Sequence, residues 1–160
     1  MIWGAIFGGD CTDLFEINRD PNSKRNGYSR WSYLEALRTN LPQVMIENRI
    51  FMHDNAPIHI AYDVQNWLCD NDINTMDWPP YSPDLNPIKH TWAKLKEMID
   101  RLDLTLEQFD GTESELINHF EELIHASWSM LGQDYFDRLI ESMPRHVAAV
   151  IEAEGWYTKY

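Results

Sequence analysis

The apolar positions of this chain change period along its length, and the changes mark its elements. Residues 2–7 are apolar and β-prone, and Gly8-Gly9-Asp10 after them is a turn signal. Residues 14–17 alternate weakly and are expected to return as the second arm of a hairpin. Asp20-Pro21-Asn22-Ser23 and Asn26-Gly27 mark a loop. Trp31, Leu34, Leu37 and Leu41 then recur every three or four residues, which is one face of a helix. Residues 49–53 read as a short buried strand, stopped by Asp54-Asn55-Ala56-Pro57. Ile60, Val64, Trp67 and Leu68 predict a second helix, and residues 73–78 a further strand ended by Pro79-Pro80. A third helix opens near Pro87, a favoured first-turn residue, with Ile88, Trp92, Leu95, Ile99 and Leu102 on one side. Leu116, Ile117, Phe120, Leu123, Ile124, Trp128 and Leu131 keep a 3.6-residue period. Shorter helices are expected over 136–143 and 147–153. Strands alternating with helices in this order predict an α/β fold. Ligands in such folds gather at the carboxyl ends of strands, which directs attention to the loop that begins at Asp54.

Charge divides the same chain differently. Its 160 residues carry 26 acidic and 13 basic side chains, a net of −13. Residues 1–101 hold 14 acids and 10 bases, whereas residues 102–160 hold 12 acids and 3 bases. The expected organisation is therefore a core over 1–101 and an acidic helical segment over 102–160 packed on it, with 102–113 as the connection. Such acidity argues against sequence-indifferent binding to nucleic acid, which needs phosphates neutralised by Lys and Arg, and against docking on anionic lipid. No apolar run approaches the roughly 20 residues of a membrane span. The first ten residues lack the basic flank of a signal peptide, so a nuclear or other intracellular location is expected. Cys11 and Cys69 are too few for a disulfide framework and read as reduced thiols.

Two segments depart from generic globular sequence. One is His53-Asp54-Asn55-Ala56-Pro57-Ile58-His59. The other is Trp78-Pro79-Pro80-Tyr81-Ser82-Pro83-Asp84-Leu85-Asn86-Pro87-Ile88-Lys89-His90-Thr91-Trp92. The chain resembles the catalytic domain of mariner-type transposases of the DDE superfamily, particularly fungal members. Their signatures run Asp-Asn-Ala-x-x-His and Trp-Pro-Pro-x-Ser-Pro-Asp-Leu-Asn-Pro-Ile-Glu-x-x-Trp. The first is matched at Asp54, Asn55, Ala56 and His59, the second from Trp78 to Ile88 and at Trp92. Residues 1–7 look like the family's second strand, and residues 142–160 like the closing segment of fungal members.

The resemblance implies a ribonuclease-H-like mixed sheet flanked by helices. It also implies DNA as partner and DNA transposition as ancestry, with three carboxylates holding two magnesium ions. Two metals together activate the nucleophile and stabilise the leaving oxygen of a phosphodiester. Magnesium prefers carboxylate and water oxygens. The sequence departs from this pattern twice. The family's first Asp lies on a strand upstream of the part that residues 1–7 resemble, so the fold is expected to lack its first strand. The family's third acid should follow Asp54 after 34 intervening residues, and there this chain has Lys89. Asp54 alone is left as a metal ligand, so the expectation is an inactive remnant that binds no magnesium. An ammonium at the third position repels a divalent cation as well as failing to bind it.

Several residues carry two readings. His59 is either an ordinary helix-start histidine or a neighbour of the active site. Lys89 is either a solvated helix residue or the partner of Asp54 in an ion pair where metal once lay, a pairing that a separation well beyond about 6 Å excludes. Asp84 is expected to satisfy backbone N–H groups in its loop, next to Asn86 of the same motif. His53, by alternation, points away from Asp54. Lys24, Arg25 and Arg30 belong to the most basic stretch and could touch a DNA backbone, but are more simply solvated. Trp31, Trp67, Trp78 and Trp92 are expected in the core rather than stacked on bases. A missing central strand leaves three outcomes: the hairpin re-pairs with residues 49–53, another chain supplies the strand as a homo-oligomer or strand-donating partner, or the protein is marginally stable. The first is expected of a single chain. A recruited protein-interaction module, using the acidic helices, is the alternative function. The helix-turn-helix modules that mariner-type transposases carry before the catalytic domain are not matched here, so sequence-specific end recognition is not expected.

Overall fold

A computed structural model of the chain describes residues 1–8, 10–46, 49–80, 82–156 and 158. Gly9 of the turn signal, Tyr81 of the proline-rich motif and Lys159 and Tyr160 of the closing segment lie outside the described residues. The elements are β1 (Ile2–Trp3), β2 (Ile6–Phe7), β3 (Asp10–Cys11), β4 (Phe15–Glu16), α1 (Arg30–Val44), α2 (Tyr62–Asp70), α3 (Pro87–Leu102), α4 (Glu113–Ser129) and α5 (Gln133–Glu152). They form two compact units, one of residues 1–4 and 12–82, the other of residues 5–11 and 83–160.

In the first unit β1 pairs antiparallel with β4, Ile2 opposite Glu16 and Trp3 opposite Phe15. The hairpin expected of residues 2–7 and 14–17 is thus present, but the first arm is broken. Ile6 and Phe7 pair instead with Asp10 and Cys11 in the other unit. The helix α1 starts where Ser29 caps it: the Ser29 hydroxyl oxygen accepts from the amides of Trp31 and Ser32, and the Ser32 hydroxyl accepts from the Ser29 amide. This reciprocal arrangement satisfies amides that a helix start leaves bare. Pro42 lies in the last turn, where it offers no N–H to the carbonyl four residues back, and the helix stops two residues later. Tyr33, Leu34, Ala36, Leu37 and Leu41 are buried, as are Val64 and Leu68 of α2, and these side chains with Trp3, Leu14, Ile17 and Phe51 make the core.

The two strands predicted over 49–53 and 73–78 shrink to one parallel bridge, Phe51 with Thr75. Phe51 donates its N–H to the Asn74 carbonyl and accepts from the Met76 amide, each at 2.8 Å. Phe51 is buried, but Ile50 and Met76 are 58% and 46% exposed, so a second buried row that would extend the ladder is lacking. The expected re-pairing of the hairpin is also not found. Among the described residues no ladder joins β1 or β4 to residues 49–53, because each segment takes a different short partner. The α/β class holds. Among the described residues the sheet is reduced to two-residue pairs and a bridge.

In the second unit Pro87 opens α3 and Leu102 ends it, and the helix buries Thr91, Leu95 and Ile99. Both α4 and α5 pack on α3, and α5 also meets β3 and the single turn of 3₁₀ helix Pro83–Leu85. The predicted break between residues 143 and 147 is absent: α5 runs unbroken through Pro144. Ser142, just before it, turns its hydroxyl onto the Leu139 carbonyl at 2.6 Å, within the turn the proline disturbs. The helix α4 has a capping box of Thr112 and Glu115. Its buried face is confined to Ile124, Ser127 and Trp128, while Leu116, Ile117 and Phe120 near its start are exposed. No helix of the described residues is long and apolar enough to cross a membrane.

The connection 102–113 is ordered by Asp103. Its Oδ1 accepts from the amide and hydroxyl of Thr105 at 2.8 and 2.7 Å, and its Oδ2 lies 2.7 Å from His119 Nε2. The His119 bond, then the Thr105 bonds, lower the Asp103 carboxyl from 3.8 to about 2. A depressed carboxyl stabilises the fold above its ordinary value. That contribution is therefore expected to fade as the pH falls from about 4 to about 2. A carboxyl-carbon NMR titration checks it: His119→Ala should move the Asp103 midpoint up toward 3.8, and an unchanged midpoint would refute the assignment.

Candidate functional site

The first motif leaves the Phe51 bridge and turns sharply. The His59 and Ile60 amides both reach the Ala56 carbonyl, at 2.8 and 3.1 Å. That turn brings His59 back onto Asp54. His59 Nδ1 lies 2.8 Å from Asp54 Oδ1 and 3.1 Å from the Asp54 carbonyl oxygen. Asp54 Oδ1 also accepts from the Ala56 amide at 3.2 Å, the local bond that an aspartate makes in such a turn. Both side chains are about a quarter exposed. His59 therefore lies directly against Asp54. Asn55 Nδ2 donates to the Trp78 carbonyl at 2.8 Å, which ties the first motif to the start of the second.

An aromatic stack backs this turn. The His59 ring lies 4.1 Å from the Tyr33 ring and runs parallel to His53 at 5.3 Å, with 3° between planes. The Tyr33 hydroxyl meets His53 Nδ1 at 3.0 Å. Burial, and then the neighbouring His59, push His53 down to about 4, against a smaller pull from Asp54. Burial and the Asp54 charge push the Tyr33 phenol up. His53 is thus a packed, neutral member of the stack. Tyr33 went unnoticed in the sequence because its position on the buried face of α1 signals core, not a phenol aimed at a histidine.

The second motif continues in the second unit. Asp84 Oδ2 accepts from the Thr158 hydroxyl at 2.5 Å and the Thr158 amide at 3.2 Å. The expected backbone N–H contact of Asp84 is thereby present, but its donor lies 74 residues away rather than in its own loop. The Asp84 carbonyl meets buried His146 at Nδ1, 3.0 Å away. Asn86 precedes α3, and its Oδ1 is buried without a hydrogen-bond partner. Lys89 stands exposed in the first turn of α3, its amide bonded to the Asn86 carbonyl at 3.0 Å.

Lys24, Arg25 and Arg30 are exposed in the first unit. Arg30 Nε pairs with Asp63 at 2.6 Å, and its guanidinium lies 5.1 Å from the Trp31 ring centroid. The core placement of Trp31 is overturned. It is 49% exposed, because the buried stripe of α1 begins at Ser32 and Tyr33. Trp67, Trp78 and Trp92 are half-buried, and Trp92 stacks on Trp128 at 5.6 Å. Among the described residues no three His, Cys, Asp or Glu side chains gather in a group that could hold a metal ion. Asp54 is engaged by His59, and position 89 carries a lysine.

Residues 19–109 match the family of DDE superfamily endonucleases. The chain belongs to that family. Within it, this DDE domain is of the mariner type. It is 29% identical over its full length to the transposable element Tc1 transposase of Caenorhabditis elegans, of which it spans 54%. The chain thus spans about half the length of the curated relatives it matches. Among solved structures, the catalytic domain of Mos1 mariner transposase superposes with a TM-score of 0.61 at 19% identity, covering 99% of this chain and 82% of that one. The same catalytic domain solved with raltegravir and magnesium gives 0.59 at 22% identity, over 82% and 66% of the two chains. These likenesses establish the ribonuclease-H-like fold for a chain whose own sheet is fragmentary.

Proposed function

We propose that this chain is a nucleic-acid-handling DDE domain, of transposase ancestry and nuclear location, that no longer cuts DNA. The observation that carries the loss of cutting is the engagement of Asp54 by His59 together with the lysine at position 89. Asp54 is the family's second acid, Lys89 replaces the third, and His59, Asn55, Asp84 and Asn86 survive as scaffolding of the former site. Lys89 supplies a positive charge where the family would coordinate magnesium. In this reading residues 1–101 are the catalytic-domain core and residues 102–160 an acidic helical addition. DNA is the partner, and a second copy or strand-donating chain completes the thin sheet.

The test is direct. The purified chain, incubated with supercoiled plasmid and magnesium or manganese, is expected to leave the plasmid uncut, and Asp54→Ala to behave identically. Metal-dependent nicking that Asp54→Ala abolishes would overturn the proposal.

A second reading has its own observation. Leu116, Ile117 and Phe120 are exposed beside Glu113, Glu115 and Glu121 at the start of α4. An apolar strip among acids suits a basic, amphipathic protein partner better than DNA. Capture of such a helix by the chain, lost on Phe120→Asp, would favour it.

A further inference from the structure

Trp31 and Arg30 open α1 in the first unit. The indole is 49% exposed, and the guanidinium carbon lies 5.1 Å from its centroid. Arg30 is fixed from behind by Asp63, at 2.6 Å. The pair borders a cleft of about 330 Å³, walled also by Ser29 and by Pro57 and Ile58 of the turn after Asp54. Asp20 and Ser23 line it too, from the loop that also carries the exposed Lys24 and Arg25. That loop is a preformed body. The Asp20 carboxylate accepts from the Ser29 hydroxyl at 2.6 Å and the Asn22 amide at 2.8 Å, and the Ser23 hydroxyl accepts from the Gly27 amide at 3.3 Å.

Charge selects the occupant. In a chain of net −13, residues 19–38 hold Arg19, Lys24, Arg25, Arg30 and Arg38 against Asp20 and Glu35. Arg30 of that stretch lines the cleft together with Asp20, and Lys24 and Arg25 follow Ser23 in the adjoining loop. A flat aromatic ring and a guanidinium plane offer stacking surfaces to any nucleobase, and the flanking cations suit its phosphates. Bases inside a duplex already stack on one another, so only an unpaired base can use such surfaces.

We propose that Trp31 and Arg30 form a stacking platform for an unpaired nucleobase, with the adjoining strand running past Lys24 and Arg25. The platform rests on the nucleic-acid-handling function proposed above, and it adds a preference for single strands over duplex. Its elements are independent of the metal site: the contact requires neither Asp54 nor Lys89.

The experiment is fluorescence anisotropy with a labelled oligothymidylate on the order of 15 nucleotides, at low salt, against a duplex of equal length. The chain should prefer the single strand. Trp31→Ala should weaken that binding about tenfold, and Trp31→Phe should keep most of it. Replacing Lys24 and Arg25 together with alanine should weaken binding and flatten its salt dependence by about 0.7 in logarithmic slope per cation. Thermal melting of Trp31→Ala should match the parent, since the ring is exposed. Single-strand binding that Trp31→Ala leaves unchanged, or a preference for duplex, overturns the platform but leaves the broader function standing. Failure to bind any DNA overturns both. Binding of the exposed ring by an acidic peptide, with no response to the oligonucleotide, would reassign the cleft to a protein partner.

Discussion

Phe136→Ala is expected to cost about 3–5 kcal/mol of stability. Phe136 is 1% exposed at the start of α5, and its ring packs against Trp128 at 6.0 Å and Tyr135 at 5.3 Å. Trp128 in turn stacks on Trp92 of α3, so this ring joins α5 to both of the other long helices. Truncation leaves a void among side chains held by three separate helices, and such walls cannot collapse together. Phe136→Leu keeps most of the apolar volume and should cost less than half as much. Urea unfolding followed by tryptophan fluorescence measures both. A loss below about 1 kcal/mol for the alanine variant would mean that the aromatic cluster is not the core of the second unit.

Asp84→Ala is the second large effect, roughly 1.5–3 kcal/mol, because it removes a charged acceptor from two donors of Thr158. Its signature should be local. The Thr158 amide should lose protection from hydrogen exchange while the α3 amides beyond Leu95 keep theirs. Asp84→Asn retains a carbonyl oxygen and should fall between the two. Thr158→Val tests the same clamp from the other side, by deleting the hydroxyl that makes the 2.5 Å bond. If both Asp84→Ala and Thr158→Val leave Thr158 protected, the clamp does not hold the closing segment.

Helices were more legible in the sequence than strands, and the reason is the range of the interactions involved. Ile88, Leu95, Ile99 and Leu102 with Pro87 before them specify α3 from its own sequence, and both ends fall where the pattern puts them. The break that the sequence predicts around Pro144 does not form, because proline's local penalty is only one contribution. Packing of Phe136 and His146 on opposite sides of it keeps α5 whole. Strand extent depends on what lies across the ladder. Residues 49–53 have the composition of a strand, yet only Phe51 finds a neighbour. Trp31 fits the helical period, but at the start of α1 it is Ser32 and Tyr33 that are buried and Trp31 that is exposed, which the period alone does not reveal.

The site was legible in part for the same reason. Asp54 and His59 are five residues apart, within reach of a single turn, and the motif contains both. The contact of Asp84 with Thr158 spans the whole second unit and leaves no local pattern in the sequence. The stack of Tyr33, His53 and His59 joins the first motif to α1, and nothing in the local pattern around Tyr33 signals that meeting.

The division of the first hairpin between units has a consequence for how the chain is made. Ala5–Cys11 is grouped with Pro83–Tyr160, and β3 meets α5. On a ribosome, residues 5–11 emerge early and then wait for on the order of a hundred residues before that helix exists. During that interval β2 and β3 can pair with each other but lack the helix that β3 meets in the finished unit. The second unit should therefore form only once α5 has been made, and a ribosome stalled before it should present β2 and β3 uncovered to chaperones.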